Sequence, residues 1–221
     1  MADSAAPQVP QVNWRLETWF NQISKEQIAL LKIHFEELNK SVKISPLVSA
    51  KSMAYADGLH YADSILALAA IFSDNPKIDV LYDLGSGAGF PGLVGAVLYP
   101  KIKFVLVETD KKSIEYLTHC IVAMGLKNVE LLNQSLEALP ANSFKFGVTR
   151  GVSTISKIIL ATRKSMAVGG VLYHMKAENW GMEVAGIPTQ LCSVWSPGLV
   201  KEYRLPIGEV RFAIVKTDKI S

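Results

Sequence analysis

The chain has little to support metal, disulfide or membrane chemistry. Cys120 and Cys192 stand alone with no CxxC, and four histidines leave too few partners for a zinc site. That cysteine usage excludes a disulfide framework and suits a reduced, cytoplasmic setting. The longest apolar run, Ile65–Phe72, is too short to span a bilayer, and Met1–Val12 lacks the basic-then-apolar order of a signal peptide. Charge of one sign is also scarce. A net +3 with 19% charged residues permits a nucleic-acid partner without demonstrating one. Nothing repeats and nothing is low in complexity. What remains is 221 residues, 49% hydrophobic, enough for one domain or a core with an appendage.

The most informative stretch is Lys77–Gly92, KIDVLYDLGSGAGFPG. Ile78, Val80, Leu81, Tyr82 and Leu84 make a β-branched, apolar segment of strand length, and Leu93–Leu98 continues as a helix-compatible run. Between them Gly85, Gly87 and Gly89 allow a tight turn that a ligand can approach closely. Strand, glycine-rich turn and helix N-terminus form the half-unit that binds nucleotide-like ligands. A dinucleotide site wants G-x-G-x-x-G, but Phe90 occupies the sixth position, which argues against a nicotinamide enzyme. Asp83 precedes the first glycine by two residues and suits a cationic ligand better than a pyrophosphate. Glu108 ends the next strand-like run, 19 residues beyond Gly89, where a ribose diol could be held. S-adenosylmethionine, with its sulfonium and ammonium, fits this pattern. The plainer alternative is that Asp83 caps the turn and Glu108 is a solvated strand end.

Upstream, Met1–Val12 reads as a loose tail. Asn13–Lys40 carries two helical stripes, Trp14, Leu16, Trp19, Phe20 and Ile23, then Ile28, Leu31, Phe35 and Leu38, with a capping box at Ser24 and Gln27. Ser41–Leu59 reads as irregular, and Leu59–Phe72 as a helix stopped by Asp74-Asn75-Pro76. Residues 1–75 are therefore expected to form a helical cap, and 76–221 the ligand-binding core. Strands are expected at Lys101–Glu108, Asn128–Leu132, Phe144–Thr149 and Val171–Met175, with helices at Lys111–Met124 and Val152–Ala167, the latter ended by Gly169-Gly170. This alternation predicts an α/β fold with a mainly parallel sheet. Leu191–Trp195 and Val210–Lys216 read as strands with no helix between them, as antiparallel pairing at one edge would require.

Ligands of such sheets lie beyond the carboxyl ends of the strands. Leu136 and Glu137 follow the third strand, where an apolar contact and an acid could hold an adenine; Glu137 is otherwise an ordinary helix-start acid. After the fourth strand stands Thr149-Arg150-Gly151, without the (Asp/Asn)-Pro-Pro-aromatic loop of exocyclic-amine methylation, and neither cysteine is placed as a nucleophile. A site without base or nucleophile suits an acceptor with a free lone pair, such as guanine N7, and catalysis by positioning. Arg150 could position cofactor or base, or be a surface arginine. His60 and Asp63 sit one turn apart and could face the sheet or form a helix-surface pair. His34, His119 and His174 show no partners in the sequence.

These motifs resemble the RsmG (GidB) family, bacterial 16S ribosomal RNA guanine-N7 methyltransferases that use S-adenosylmethionine. The resemblance runs from about Phe35 to the end. DLGSGAGFPG at Asp83–Gly92 is its most specific element, with Asn39-Lys40, His60-x-x-Asp63-Ser64, Thr149-Arg150, Met175-Lys176 and Arg211–Ile220 at matching places. It implies a Rossmann-like class I methyltransferase fold, a seven-stranded sheet with an antiparallel edge strand and a helical N-terminal extension. It implies a cytoplasmic enzyme acting on 16S rRNA in the small ribosomal subunit, expected to be a monomer without metal. It carries cofactor contacts onto Gly85, Phe90, Leu136, Glu137 and Arg150, beside Asp83, Gly87, Gly89 and Glu108 proposed above. Asn39, His60, Asp63 and Lys176 become candidates for the RNA-facing side. Leu59, Lys43, Lys112-Ser113, Ser135, Lys145 and Ala177 depart from the family pattern, several with loss of positive charge. Rival readings are a methyltransferase for another RNA or a small molecule, and a cofactor-binding, ribosome-associated factor without turnover.

Overall fold

The computed structural model describes residues 12–44, 47–209 and 211–221. Apart from Val12, the tail Met1–Val12 lies outside them, as does Val210. The capping box forms as expected: the Gln27 amide donates to Ser24 Oγ, and the Ser24 amide to Gln27 Oε1, both at 3.2 Å. It separates the short α1 (Leu16–Trp19) from α2 (Lys25–Ile44). Gln27 also donates through Nε2 to the carbonyls of Val97 and Leu98, at 3.1 and 3.2 Å, tying α2 to the end of the helix Gly92–Leu98.

The stretch expected to be irregular is more ordered than its composition suggests. Ser49 caps α3 (Ala50–Met53) by accepting from the Ser52 amide at 3.0 Å, and a π-helical turn spans Asp57–Ala62 before α4 (Asp63–Asp74). What the sequence conceals is the ion pair that anchors it: Arg15 donates to buried Asp57 at 2.7 and 2.9 Å across 42 residues.

Strand and helix then alternate through β1 (Val80–Leu84), α5 (Gly92–Leu98), β2 (Lys103–Glu108), α6 (Lys111–Ala123), β3 (Val129–Asn133), β4 (Phe144–Arg150), α7 (Ile155–Thr162) and β5 (Met166–Ala177). A short α8 (Trp180–Ala185) precedes β6 (Trp195–Arg204) and β7 (Arg211–Lys219). The seven-stranded sheet runs β3-β2-β1-β4-β5-β7-β6. It is parallel from β3 to β5, and antiparallel pairing is confined to the β5–β7–β6 edge. Strand order reverses between β1 and β4, the place where parallel sheets open a ligand crevice.

Two local expectations need correction. Gly169-Gly170 lie inside β5 instead of ending α7. The β4–β5 register jumps from Phe144↔Met166 to Phe146↔Val171, and a Cβ on Gly170 would stand 2.5 Å from the Lys145 carbonyl. The pair makes a bulge where two backbones nearly touch. Leu191 belongs to a 3-10 turn, Thr189–Leu191, and β6 begins only at buried Trp195. The short α8 is not expected from the sequence; it seats only Trp180 and Val184, one turn apart and both half-buried, against the core.

Residues of α1, α2 and the π-helical turn share one apolar core with the glycine-rich loop, α5 and α6, through Leu16, Leu31, Leu38 and Tyr61 against Phe90, Leu93 and Leu117. The opposite face packs under α7.

Candidate active site

The loop after β1 is built on backbone demands. Gly85, Gly87 and Gly89 take φ of +77°, +53° and +89°, which L side chains resist. Their surroundings differ. A Cβ on Gly89 would lie 2.6 Å from Leu93 Cδ1, and one on Gly85 2.5 Å from Val152 Cγ2, whereas no atom of the described residues lies within 4 Å of a Cβ at Gly87. Gly87 therefore faces open space. That space is a cavity of about 460 Å³ at the carboxyl ends of β1, β2 and β4. Gly85 and Gly87 form its floor, Glu108 and Thr109 one side, Leu136 and Glu137 another, and Arg150, Gly151 and Val152 the third.

Glu108 is engaged twice. One carboxylate oxygen accepts from the Gly87 amide at 2.8 Å, and the other from the amides of Thr109 and Asp110 at 2.7 and 3.0 Å. It holds the loop in shape while still lining the cavity. Asp83 does not line it. Fully buried, it accepts from the Gly92 amide at 3.0 Å, and its Oδ1 has no partner among the described residues. Burial pushes its pKa up to about 7, against the pull of the Gly92 amide. Asp83 thus caps the start of α5 from beneath the loop. Position 92 has no room for a Cβ, which would run into Leu106 Cδ2 and stand 2.6 Å from Asp83 Oδ2.

Phe90 and Gly89 are also beneath the floor. Phe90 is 4% exposed and stacks on the His60 ring at 5.1 Å and 28°, with Tyr61 edge-on at 4.9 Å and the Arg150 guanidinium 5.8 Å from its centroid. Arg150 gathers the remaining groups. Its Nε donates to Asp63 Oδ2 at 2.8 Å, and its Nη2 to the Leu59 carbonyl at 2.7 Å and to His60 Nδ1 at 2.9 Å. Arginine only donates, so His60 Nδ1 accepts and the ring proton sits on Nε2. Burial, reinforced by the Arg150 charge, holds the His60 pKa down to about 3, and the ring is neutral. Of the readings open for His60, Asp63 and Arg150, the helix pair faces the sheet and Arg150 is no free surface arginine.

Lys176 and Asn39 stand apart from this group. Lys176 donates to the Ser153 carbonyl and to Glu183 Oε2, both at 2.8 Å, and Glu183 also accepts from the Ile155 amide at 3.0 Å. It braces the loop after β4 from behind. Asn39 is half-buried on α2.

A backbone floor open at Gly87, an apolar wall at Leu136, and the acids Glu108 and Glu137 with Arg150 at the rim fit a nucleoside carrying a charged amino-acid tail. The family model for GidB, rRNA small subunit methyltransferase G, matches residues 27–194. The chain belongs to the rRNA small subunit methyltransferase G family. A Bdellovibrio bacteriovorus protein, ribosomal RNA small subunit methyltransferase G 3, is 50% identical over 221 residues, covering 100% of both chains. Ribosomal RNA small subunit methyltransferase G of Lactococcus lactis is 28% identical over 210 residues, 90% of this chain and 86% of its own. Among solved structures, the tRNA (m1A58) methyltransferase TrmI of Aquifex aeolicus aligns with a TM-score of 0.52 at 16% identity, covering 72% of this chain and 69% of that one. At that identity it shows the shared Rossmann-like fold.

Three residues of this family member escaped the sequence reading. Buried His34 donates through Nε2 to the Ala88 carbonyl of the loop, and accepts at Nδ1 from the Tyr61 hydroxyl, both at 2.9 Å. Its only signal was a histidine within the apolar stripe Leu31–Leu38. Val152 lines the cavity while 43% exposed, and Tyr203 donates to Asp63 Oδ1 at 2.6 Å from β6. Tyr203 left no local signal. No group of three or more His, Cys, Asp or Glu among the described residues could hold a metal, and no described helix is long and apolar enough to cross a membrane.

Proposed function

We propose that the chain transfers a methyl group from S-adenosylmethionine to N7 of a guanine in 16S rRNA of the small ribosomal subunit, acting as a cytoplasmic monomer. The observation that carries this reading is the cavity over Gly87 in a chain of the rRNA small subunit methyltransferase G family. Gly85, Gly87, Glu108, Leu136, Glu137 and Arg150 would hold the cofactor. When bound, S-adenosylmethionine supplies a methyl group on a positively charged sulfur.

The protein's own contribution is placement. His60 is neutral with Nδ1 occupied by Arg150, and Asp63 is occupied by Arg150 and Tyr203, so neither is a free proton acceptor. Guanine N7 already carries an in-plane lone pair and loses no proton on methylation, so such a site can work through proximity and orientation alone. Arg150 orients, with His60 and Asp63 behind it. Asn39 and Lys176 belong, in this reading, to the RNA-facing side, beyond the cofactor cavity. In this reading residues 1–75 form the cap through which RNA is met, and 76–221 the methyltransferase core.

The test is methyl transfer from labelled S-adenosylmethionine to purified small subunits, with the modified base mapped by mass spectrometry. One new N7-methylguanosine in 16S rRNA is expected. An unchanged set of N7-methylguanosines in a deletion strain, compared with its parent, overturns the assignment.

A further inference from the structure

The wall that Arg150 gives to the cavity is supported from the far end of the chain. Asp63 is 2% exposed, and a carboxylate that deep needs a donor on each oxygen to stay ionised. Arg150 Nε serves Oδ2 at 2.8 Å; Oδ1 is served by the Tyr203 hydroxyl at 2.6 Å, 140 residues away on the edge strand β6. Tyr203 is itself fixed. Its ring is 9% exposed and stacks on Phe212 of β7 at 6.0 Å, and the connection between β6 and β7 presses Ile207 against Gly58 of the π-helical turn that carries His60. The terminal hairpin is thus docked on both sides of Asp63.

We propose that Tyr203 is a positioning residue for cofactor binding: its hydroxyl holds the Asp63 carboxylate, which holds the Arg150 guanidinium at the cavity wall. The inference rests on the methyltransferase reading of that cavity and extends it to the edge strand. Without the hydroxyl, Oδ1 has no donor, burial favours the protonated acid, and a neutral Asp63 no longer fixes the guanidinium. Arg150, with 22% of its side chain exposed, then loses its Nε anchor and is held through Nη2 alone, by the Leu59 carbonyl and His60 Nδ1, so its guanidinium is less firmly placed at the cavity wall.

Tyr203→Phe keeps the ring and its stacking and removes one oxygen. Titration calorimetry with S-adenosylhomocysteine on the full chain should show binding about tenfold weaker than wild type, the scale of one hydrogen bond to a charged group. The same substitution made in an Arg150→Met background should change affinity by less than about twofold, because nothing remains to be positioned. A purely structural tyrosine would lower the melting temperature of both backgrounds alike and leave this coupling at zero. Unchanged affinity in a folded Tyr203→Phe protein, or an equal loss with and without Arg150, overturns the proposal. A wild type that binds no S-adenosylhomocysteine overturns the methyltransferase reading along with it, so the two failures are told apart by the wild-type titration.

Discussion

Gly87 and Gly125 form a natural control pair. Both take left-handed φ, +53° and +64°, and neither has an atom of the described residues within 4 Å of a would-be Cβ. A Cβ at either position therefore has room, and valine there differs from glycine mainly in backbone strain, about 2 kcal/mol for a β-branched residue in that region. For a chain of this length that corresponds to a melting temperature lower by about 4–8 °C in each variant. The two sites differ in where the open space lies. Gly87 floors the 460 Å³ cavity, whereas Gly125 follows α6 and lies outside it. Gly87→Val should thus fold yet bind S-adenosylhomocysteine about a hundredfold more weakly or worse, a loss of about 2.8 kcal/mol. Gly125→Val, equally strained, should bind like wild type. Differential scanning fluorimetry establishes the matched stability loss, and titration calorimetry reads the affinity. If folded Gly87→Val binds as tightly as Gly125→Val, the cavity over the loop does not hold the cofactor.

Gly89→Ala should behave in the opposite way. Its Cβ would stand 2.6 and 2.8 Å from Leu93 atoms at φ +89°, so strain and overpacking together should cost about 3 kcal/mol, and a melting temperature no lower than that of Gly87→Ala would refute this. Gln27→Ala removes the side-chain half of the cap, the Oε1 that accepts from the Ser24 amide, and two bonds to the end of α5, with about 1–2 kcal/mol expected from urea denaturation; no change would show that the junction between α2 and α5 does not need them. The third concerns pH. Burial holds His34 down to about 4, below its unfolded value of 6.5, so the unfolded chain takes up the proton first as pH falls. The stability that neutral His34 provides is whole above pH 6.5 and is lost on the way down to about 4. Wild type should therefore be steeper than His34→Gln by about 1.4 kcal/mol per pH unit in that window, with the buried carboxylates cancelling in the difference. Equal slopes would mean that His34 is not buried neutral.

The features that the sequence made legible are those whose causes lie close together along the chain. DLGSGAGFPG announces a strand, a left-handed turn and a helix start within ten residues, and Ser24 with Gln27 announces a cap within four, so each could be read from local geometry. The division of labour inside the motif could not. Gly85 and Gly87 line the cavity, while Asp83, Gly89, Phe90 and Gly92 pack away from it against Leu93, Leu106, Leu117 and His60. Every decisive contact around Arg150 spans a long interval: 87 residues to Asp63, 90 to His60, and 140 from Tyr203 to Asp63. Pairings of that kind are set by sheet order, which places β4 beside β1 and brings β6 around to α4. They leave no periodicity at either end. The same reasoning explains the glycine pair at 169–170: a helix stop and a strand bulge both require residues without Cβ, and only the Lys145 carbonyl lying opposite decides between them. A motif in one chain therefore identifies the chemistry that a loop permits, while the residues that hold that loop and its arginine in working position belong to the tertiary fold. Substitutions at Tyr203, Asp63 and His34 should accordingly act on the cofactor site although none of them lies within the glycine motif.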